Sequence, residues 1–167
     1  MNFDKPHNSM RGHFAYYLYE EMKKNKDIWL ITGDLGYKMF DRIKEDFPDR
    51  FVNVGAAEQA GIGIAIGLAL EGKIPFFYSI TNFTLYRAFE WIRNYINFEK
   101  IPVKLIGGGR DYDYDHDGWT HQSPDAKPVL NLFKNIDQYF PENNDIIKPL
   151  VKQSVKDGKP LFISLKR

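Results

Sequence analysis

Cysteine is absent from the 167-residue sequence, which removes disulfides, thiolate nucleophiles and cysteine-bound zinc and leaves four histidines as the only soft metal ligands. Neither sign of charge prevails: 23 Lys and Arg stand against 22 Asp and Glu, a net charge of +1. A surface built for nucleic acid or an anionic membrane carries a basic excess, so this balance argues against both partners. The N-terminus has no signal-like apolar run, because Met1-Asn2-Phe3-Asp4-Lys5 leads into polar sequence. A cytoplasmic protein is the expectation. No repeat, low-complexity tract or linker divides the chain, and its length suits one domain over residues 1–167. What the chain does have in quantity is aromatic: 13 Phe, 10 Tyr and 3 Trp, 16% of all residues. A core of this size does not need so many, and some are expected at a pocket or an interface.

Apolar runs alternate with helix-length segments. Strands are expected over 28–32, 51–54, 74–79, 101–106 and 160–165, with a weaker one over 135–140. Helices are expected over 11–25, 37–47, 57–70, 82–98 and 143–156. Mostly apolar strands without clean alternation, joined by helix-length crossovers, predict a mostly parallel sheet covered on both faces, a three-layer α/β/α sandwich. Ligands of such folds gather outside the carboxyl ends of the strands. Those ends are Gly33-Asp34, residues 53–59, residues 79–83 and Gly107 onward.

The segment Val54-Gly55-Ala56-Ala57-Glu58-Gln59-Ala60-Gly61-Ile62-Gly63 turns from a strand straight into a helix of small residues. Such a helix can approach other backbone closely, in the sheet or in a second subunit. A dinucleotide site fails on spacing, since Gly61, Gly63 and Gly67 do not form G-x-G-x-x-G, and Glu58 would repel a phosphate at the helix entrance. Glu58 has two readings. It is either a first-turn carboxylate favoured by the helix dipole, or an acid aimed across a crevice at a ligand nitrogen. Its neighbours in sequence are apolar, and no obvious side-chain partner lies one turn away.

Beyond the next strand, Thr81 or Asn82 can cap a helix that carries Phe83, Tyr86 or Arg87, and Glu90 on neighbouring turns. These rings are either core or a slot for a planar heterocycle. The stretch from Asp111 to Asp125 holds two of the four histidines. Asp113, Asp115, Asp117 and Gly118 match calcium-loop positions 1, 3, 5 and 6, but position 12 is Pro124 instead of glutamate. His116 and His121 are too far apart for H-x-x-x-H zinc binding. A polar loop reaching a substrate is the better reading, with His121 a donor to a carbonyl or hydroxyl oxygen. Arg110, beside the glycine run 107–109, is a candidate for a phosphate or carboxylate.

Taken together, these pieces resemble the pyrimidine-binding domain of transketolase-like thiamine diphosphate enzymes, from about Arg11 to Arg167. The resemblance rests on Gly33-Asp34-Leu35 after the first strand, Val54-Gly55-Ala56-Ala57-Glu58-Gln59 with its glycine-rich helix, Phe83 with Tyr86, and Asp117-Gly118-Trp119-Thr120-His121-Gln122. It implies that Glu58 bonds the pyrimidine nitrogen of thiamine diphosphate, that Phe83 stacks on the ring with Tyr86 in the same pocket, and that Asp34 and Leu35 lie beside the cofactor or the subunit contact. Asp117, His121, His116 and Arg110 would face the substrate. His116 stands where transketolases usually carry an acid, and Trp119 replaces the usual proline, which implies a substrate other than the ordinary sugar phosphates.

The family's second module holds the diphosphate through Mg²⁺ with a G-D-G signature, which this sequence lacks. The resemblance therefore implies a split enzyme: a separate diphosphate-binding subunit, an α2β2 assembly, and two-carbon ketol transfer between sugars. Tyr112, Tyr114 and Trp119 are expected at subunit surfaces. Two other readings stay open, a thiamine-dependent 2-oxoacid decarboxylase or carboligase subunit and a non-catalytic scaffold or regulatory protein.

Overall fold

The apolar runs become β1 (Ile28–Thr32), β2 (Phe51–Asn53), β3 (Ile74–Ile80), β4 (Lys104–Gly108), β5 (Asp137–Tyr139) and β6 (Leu161–Leu165). In the computed structural model, which describes residues 5–167, these strands form one sheet in the order β2-β1-β3-β4-β6-β5. Every neighbouring pair is parallel, with Leu30 in register with Phe51 on one side and Phe76 on the other. From β1 the chain first steps outward to β2, then returns past β1 to β3. That reversal opens a crevice beyond the carboxyl ends of β1 and β3.

Helices α1 (Met10–Met22), α2 (Asp41–Asp46) and α7 (Ile147–Lys156) cover one face, while α3 (Glu58–Leu70), α4 (Thr81–Tyr86), α5 (Phe89–Trp91) and α6 (Ala126–Leu130) cover the other. Ser9 caps α1, its hydroxyl accepting from the Gly12 N–H at 3.1 Å. Successive strand residues point to opposite layers. Phe76 and Tyr78 therefore join Phe14 and Phe40 in one core, and Phe77 joins Ile62, Ile92 and Phe162 in the other. Each such buried ring stabilises the fold by roughly 1.5–3 kcal/mol. No helix among the described residues is long and apolar enough to cross a membrane.

Three expectations shift. The strand expected from residue 101 starts at Lys104, because Pro102 has no N–H to give a ladder and the Val103 N–H bonds back to the Ile101 carbonyl at 2.8 Å. The segment expected as one helix over 82–98 breaks after Arg87, where Ala88 leaves helical geometry at φ −122° and ψ 26°, and continues through α5 into a π-helical turn, Ile92–Phe98. Neither Thr81 nor Asn82 caps α4. The Thr81 hydroxyl donates to the Gly109 carbonyl, and the Asn82 amide donates to the Gln122 carbonyl at 2.7 Å, so both side chains tie the helix to the loop beyond β4.

Lys104 is the most deeply buried cation, 1% exposed at the start of β4. Its ammonium donates to the carbonyls of Asp157 and Lys159, closing the turn between α7 and β6. Burial pushes its pKa down from 10.5 to about 8, against the weaker pull of Asp157 and Asp137. The unfolded chain thus keeps this proton up to about pH 10.5 while the folded chain sheds it above about pH 8. Across that window the unfolded state binds more protons, so the contribution of Lys104 to stability rises with pH and is lost as pH falls through 8. Urea midpoints of the wild type and Lys104→Met, compared from pH 7 to 10.5, should show the wild type gaining on the variant above pH 8. A constant difference would show that the buried ammonium holds its proton as the unfolded chain does.

Candidate functional site

The ends of β1, β2 and β3 are laced together before α3 begins. The Val54 N–H bonds the Thr32 carbonyl at 2.9 Å, Gly33 bonds the Tyr78 carbonyl at 3.2 Å, and Asp34 bonds the Gly55 carbonyl at 2.9 Å. Glu58, the first residue of α3, enters this junction and is 3% exposed. It is a first-turn carboxylate that meets the helix dipole, buried where the strand ends come together.

Two donors hold it. Ser79, at the end of β3, donates from its hydroxyl to Oε1 at 3.2 Å, and Arg87 donates from Nη1 to Oε2 at 2.6 Å. The Arg87 guanidinium also lies over the Phe83 ring, its central carbon 3.6 Å from the centroid. His121 packs on Phe83 as well, with ring centroids 4.9 Å apart and planes tilted by 65°. Gly33 borders the carboxylate: a Cβ there would stand 3.3 Å from the Gly55 carbonyl and in van der Waals contact with Glu58 Oε1 and the Ser79 hydroxyl. An open cleft of about 560 Å³, lined by Ala56, Ala57, Gln59, Ala60 and Trp91, adjoins Glu58 and Arg87.

Arg87 is the residue that sequence reasoning passed over as a partner. It lies 29 positions beyond Glu58, on another helix, so no helical spacing could pair the two. The break at Ala88 ends α4 at a turn that sets Arg87 directly above Phe83, its i−4 neighbour. Two glycines of α3 serve contacts within the chain, while Gly67 faces open space. A Cβ at Gly61 would come within 2.5 Å of the Phe77 ring, and one at Gly63 would collide with Trp91.

The remaining candidates are placed as follows. His121 is half-buried beside Phe83, with Nδ1 3.0 Å from the Thr120 hydroxyl. The loop that carries it is folded into two 3₁₀ turns, Asp115–Asp117 and Trp119–His121, and is closed by a bridge between Asp111 and Ser123. Asp117 and His116 form an exposed pair of their own, Oδ2 to Nε2 at 3.2 Å, and Arg167 Nη1 lies 3.2 Å from the same Nε2. Asp34 is exposed after β1, while Leu35 packs on the α1–α7 core. Tyr86, expected to line the slot, instead packs against the α3-side core. Its hydroxyl titrates higher than usual through burial and the nearby Asp125. Tyr112 and Trp119 are exposed, but Tyr114 is buried, its hydroxyl accepting from Arg11 at 3.0 Å.

Arg110, expected at the substrate, is spent inside the chain. Its guanidinium donates to the carbonyls of Ser164 at 2.5 Å and Pro141 at 2.8 Å and to Glu142 Oε1 at 2.8 Å. The calcium-like aspartates are also engaged: Asp113 Oδ2 accepts from the N–H groups of Arg110 and Arg167. Among the described residues no group of three or more His, Asp or Glu side chains is arranged to hold a metal ion.

The residues present fit a flat, nitrogen-bearing ligand. Glu58 offers a buried acceptor, and Phe83 offers a ring face on which a planar donor group already rests. Comparison with known proteins agrees. The family model "Transketolase, pyrimidine binding domain" matches residues 7–167. A putative transketolase C-terminal section from Methanocaldococcus jannaschii is 30% identical, over 95% of this chain and 50% of that protein. An apulose-4-phosphate transketolase subunit from Actinobacillus succinogenes is 33% identical, over 72% of this chain and 39% of that one. A solved split-gene transketolase, described as an inactive β4 tetramer, superposes with a TM-score of 0.83 at 29% identity, over 95% of this chain and 52% of that chain. The chain spans about half the length, or less, of these relatives.

A buried guanidinium bound to strand-end carbonyls is a fold-holding group. Arg110→Met should lower the free energy of unfolding by about 2–4 kcal/mol, because it strands the Ser164 and Pro141 carbonyls and removes a buried charge-assisted contact. Urea unfolding checks this. An unchanged midpoint would return Arg110 to the pool of anion-binding residues.

Proposed function

The chain belongs to the family of transketolase pyrimidine-binding domains, and we propose that it is the pyrimidine-binding subunit of a thiamine diphosphate-dependent transketolase that moves two-carbon ketol units between sugars or sugar derivatives. The observation that carries this reading is Glu58, buried at the strand-end crevice with an oxygen turned to a flat donor stacked on Phe83. When bound, thiamine diphosphate supplies a nucleophilic carbon that sugar-cleaving side chains lack.

In this reading Glu58 receives the pyrimidine ring nitrogen and holds or shares the proton there. Ser79 fixes the carboxylate through Oε1. Phe83 orients the ring by stacking. His121, on the edge of Phe83, hydrogen-bonds a carbonyl or hydroxyl oxygen of the sugar, and Asp117 and His116 on the same loop meet the remaining hydroxyls. Asp34 lies along the cofactor or the subunit contact, beyond β1.

The diphosphate and its Mg²⁺ are assigned, in this reading, to a separate diphosphate-binding subunit. Relatives named as transketolase subunits or as a split-gene transketolase support such a pairing, and the reading assigns the assembly two copies of each chain. Exposed Tyr112 and Trp119 are the rings offered to that assembly, and the reading assigns it to the cytoplasm.

Two measurements test this. In the complex with the partner chain, Glu58→Gln should slow exchange of the cofactor's C2 proton by roughly 10²–10⁴-fold while leaving assembly intact. An unchanged exchange rate would remove Glu58 from its role. With a panel of ketose donors and aldose acceptors, the complex should transfer the two-carbon unit without releasing CO₂ from 2-oxoacids. The opposite profile would move the subunit to decarboxylation.

A further inference from the structure

Arg87 makes the two contacts that the functional reading assigns to the cofactor's pyrimidine. Its guanidinium is planar, stacks 3.6 Å from the centroid of Phe83, and gives an N–H to Glu58 Oε2 at 2.6 Å. His121 packs against the same ring, 4.9 Å between centroids and with planes 65° apart, so it makes a tilted contact unlike that of the guanidinium. We propose that Arg87 is a built-in stand-in for the pyrimidine, closing the slot until the cofactor displaces it. This inference rests on the functional reading above.

Physical chemistry gives the stand-in a reason. A carboxylate as buried as Glu58 is costly without a donor, so the slot is most stable when something fills it. A guanidinium shares two features with an aminopyrimidine, a flat face for the ring and N–H groups for the carboxylate. The latch is also releasable. The Arg87 side chain is 42% exposed, which screens its ion pair, and it sits at the residue where α4 ends. The adjoining cleft is walled by Ala56, Ala57 and Ala60, whose short side chains leave room for the displaced arm, and by Trp91, another flat face. Loading then exchanges one stacked donor for another and leaves Glu58 partnered throughout.

Displacement lowers apparent affinity by the fraction of molecules whose slot is free. In the complex with the diphosphate-binding partner and Mg²⁺, calorimetric titration with thiamine diphosphate should show Arg87→Ala binding on the order of tenfold more tightly than wild type. Equal or weaker binding by the variant, with wild type still binding, overturns the stand-in role alone. Absence of binding by both forms overturns the functional reading and this one with it. A second readout needs no variant at this site. In the wild-type chain the Arg87 side-chain N–H resonance should be displaced by the Phe83 ring current and should return to its ordinary position when cofactor loads the complex. A resonance that cofactor leaves unmoved shows Arg87 still on Phe83 and overturns the proposal.

Discussion

A carboxylate taken out of water must be met by donors, and meeting it at Glu58 is what gathers the strand ends into one place. The helix that carries it begins a short turn after β2, the hydroxyl that fixes one oxygen comes from the end of β3, and Gly33 after β1 borders both. The second oxygen is met from α4, across the crevice. The parallel sheet permits this convergence because it delivers all its carboxyl ends to the same side, and the reversal around β1 leaves the opening between them. The hydrophobic layers hold the two walls of that opening. Phe77 braces α3 against the sheet, and Leu85, Ala88 and Ile92 anchor the broken helical segment that carries Phe83 and Arg87.

Much of this is legible in the sequence. β1, β2, β3, β6 and α3 fall where apolar runs and glycine stops put them, since a parallel strand buried on both faces leaves a continuous hydrophobic signature. Glu58 stands out because a charge among alanines, at a helix entrance, has no local reason to be buried. The resemblance to the pyrimidine-binding family is visible in the same strand-end residues and agrees with the family to which the chain belongs.

What stays hidden is set by tertiary contact. The break after Arg87 leaves no mark in a segment, 82–98, whose residues all tolerate a helix. The partnership of Glu58 and Arg87 joins residues with no periodic relation, and Tyr86 turns into the core only because the short α4 lines up Phe83 with Arg87 on the crevice side. Arg110 beside a glycine run suggests an open anion site. The strand-end carbonyls of the neighbouring β6 and the 141–142 segment claim it instead. The aromatic surplus divides the same way: Tyr78 and Tyr114 are filled in by packing, Phe83 is kept half-open, and Tyr112 and Trp119 are left in water.

The two borders of the sheet, β2 and β5, are each three residues long. Borders so short offer another chain too few free N–H and C=O groups to add a strand, which guards the fold against runaway ribbon growth. Recognition between copies or with other chains is thereby steered away from backbone pairing, which is blind to sequence, and toward side-chain surfaces, which are not. The indiscriminate route to association is thus the one this architecture has shut.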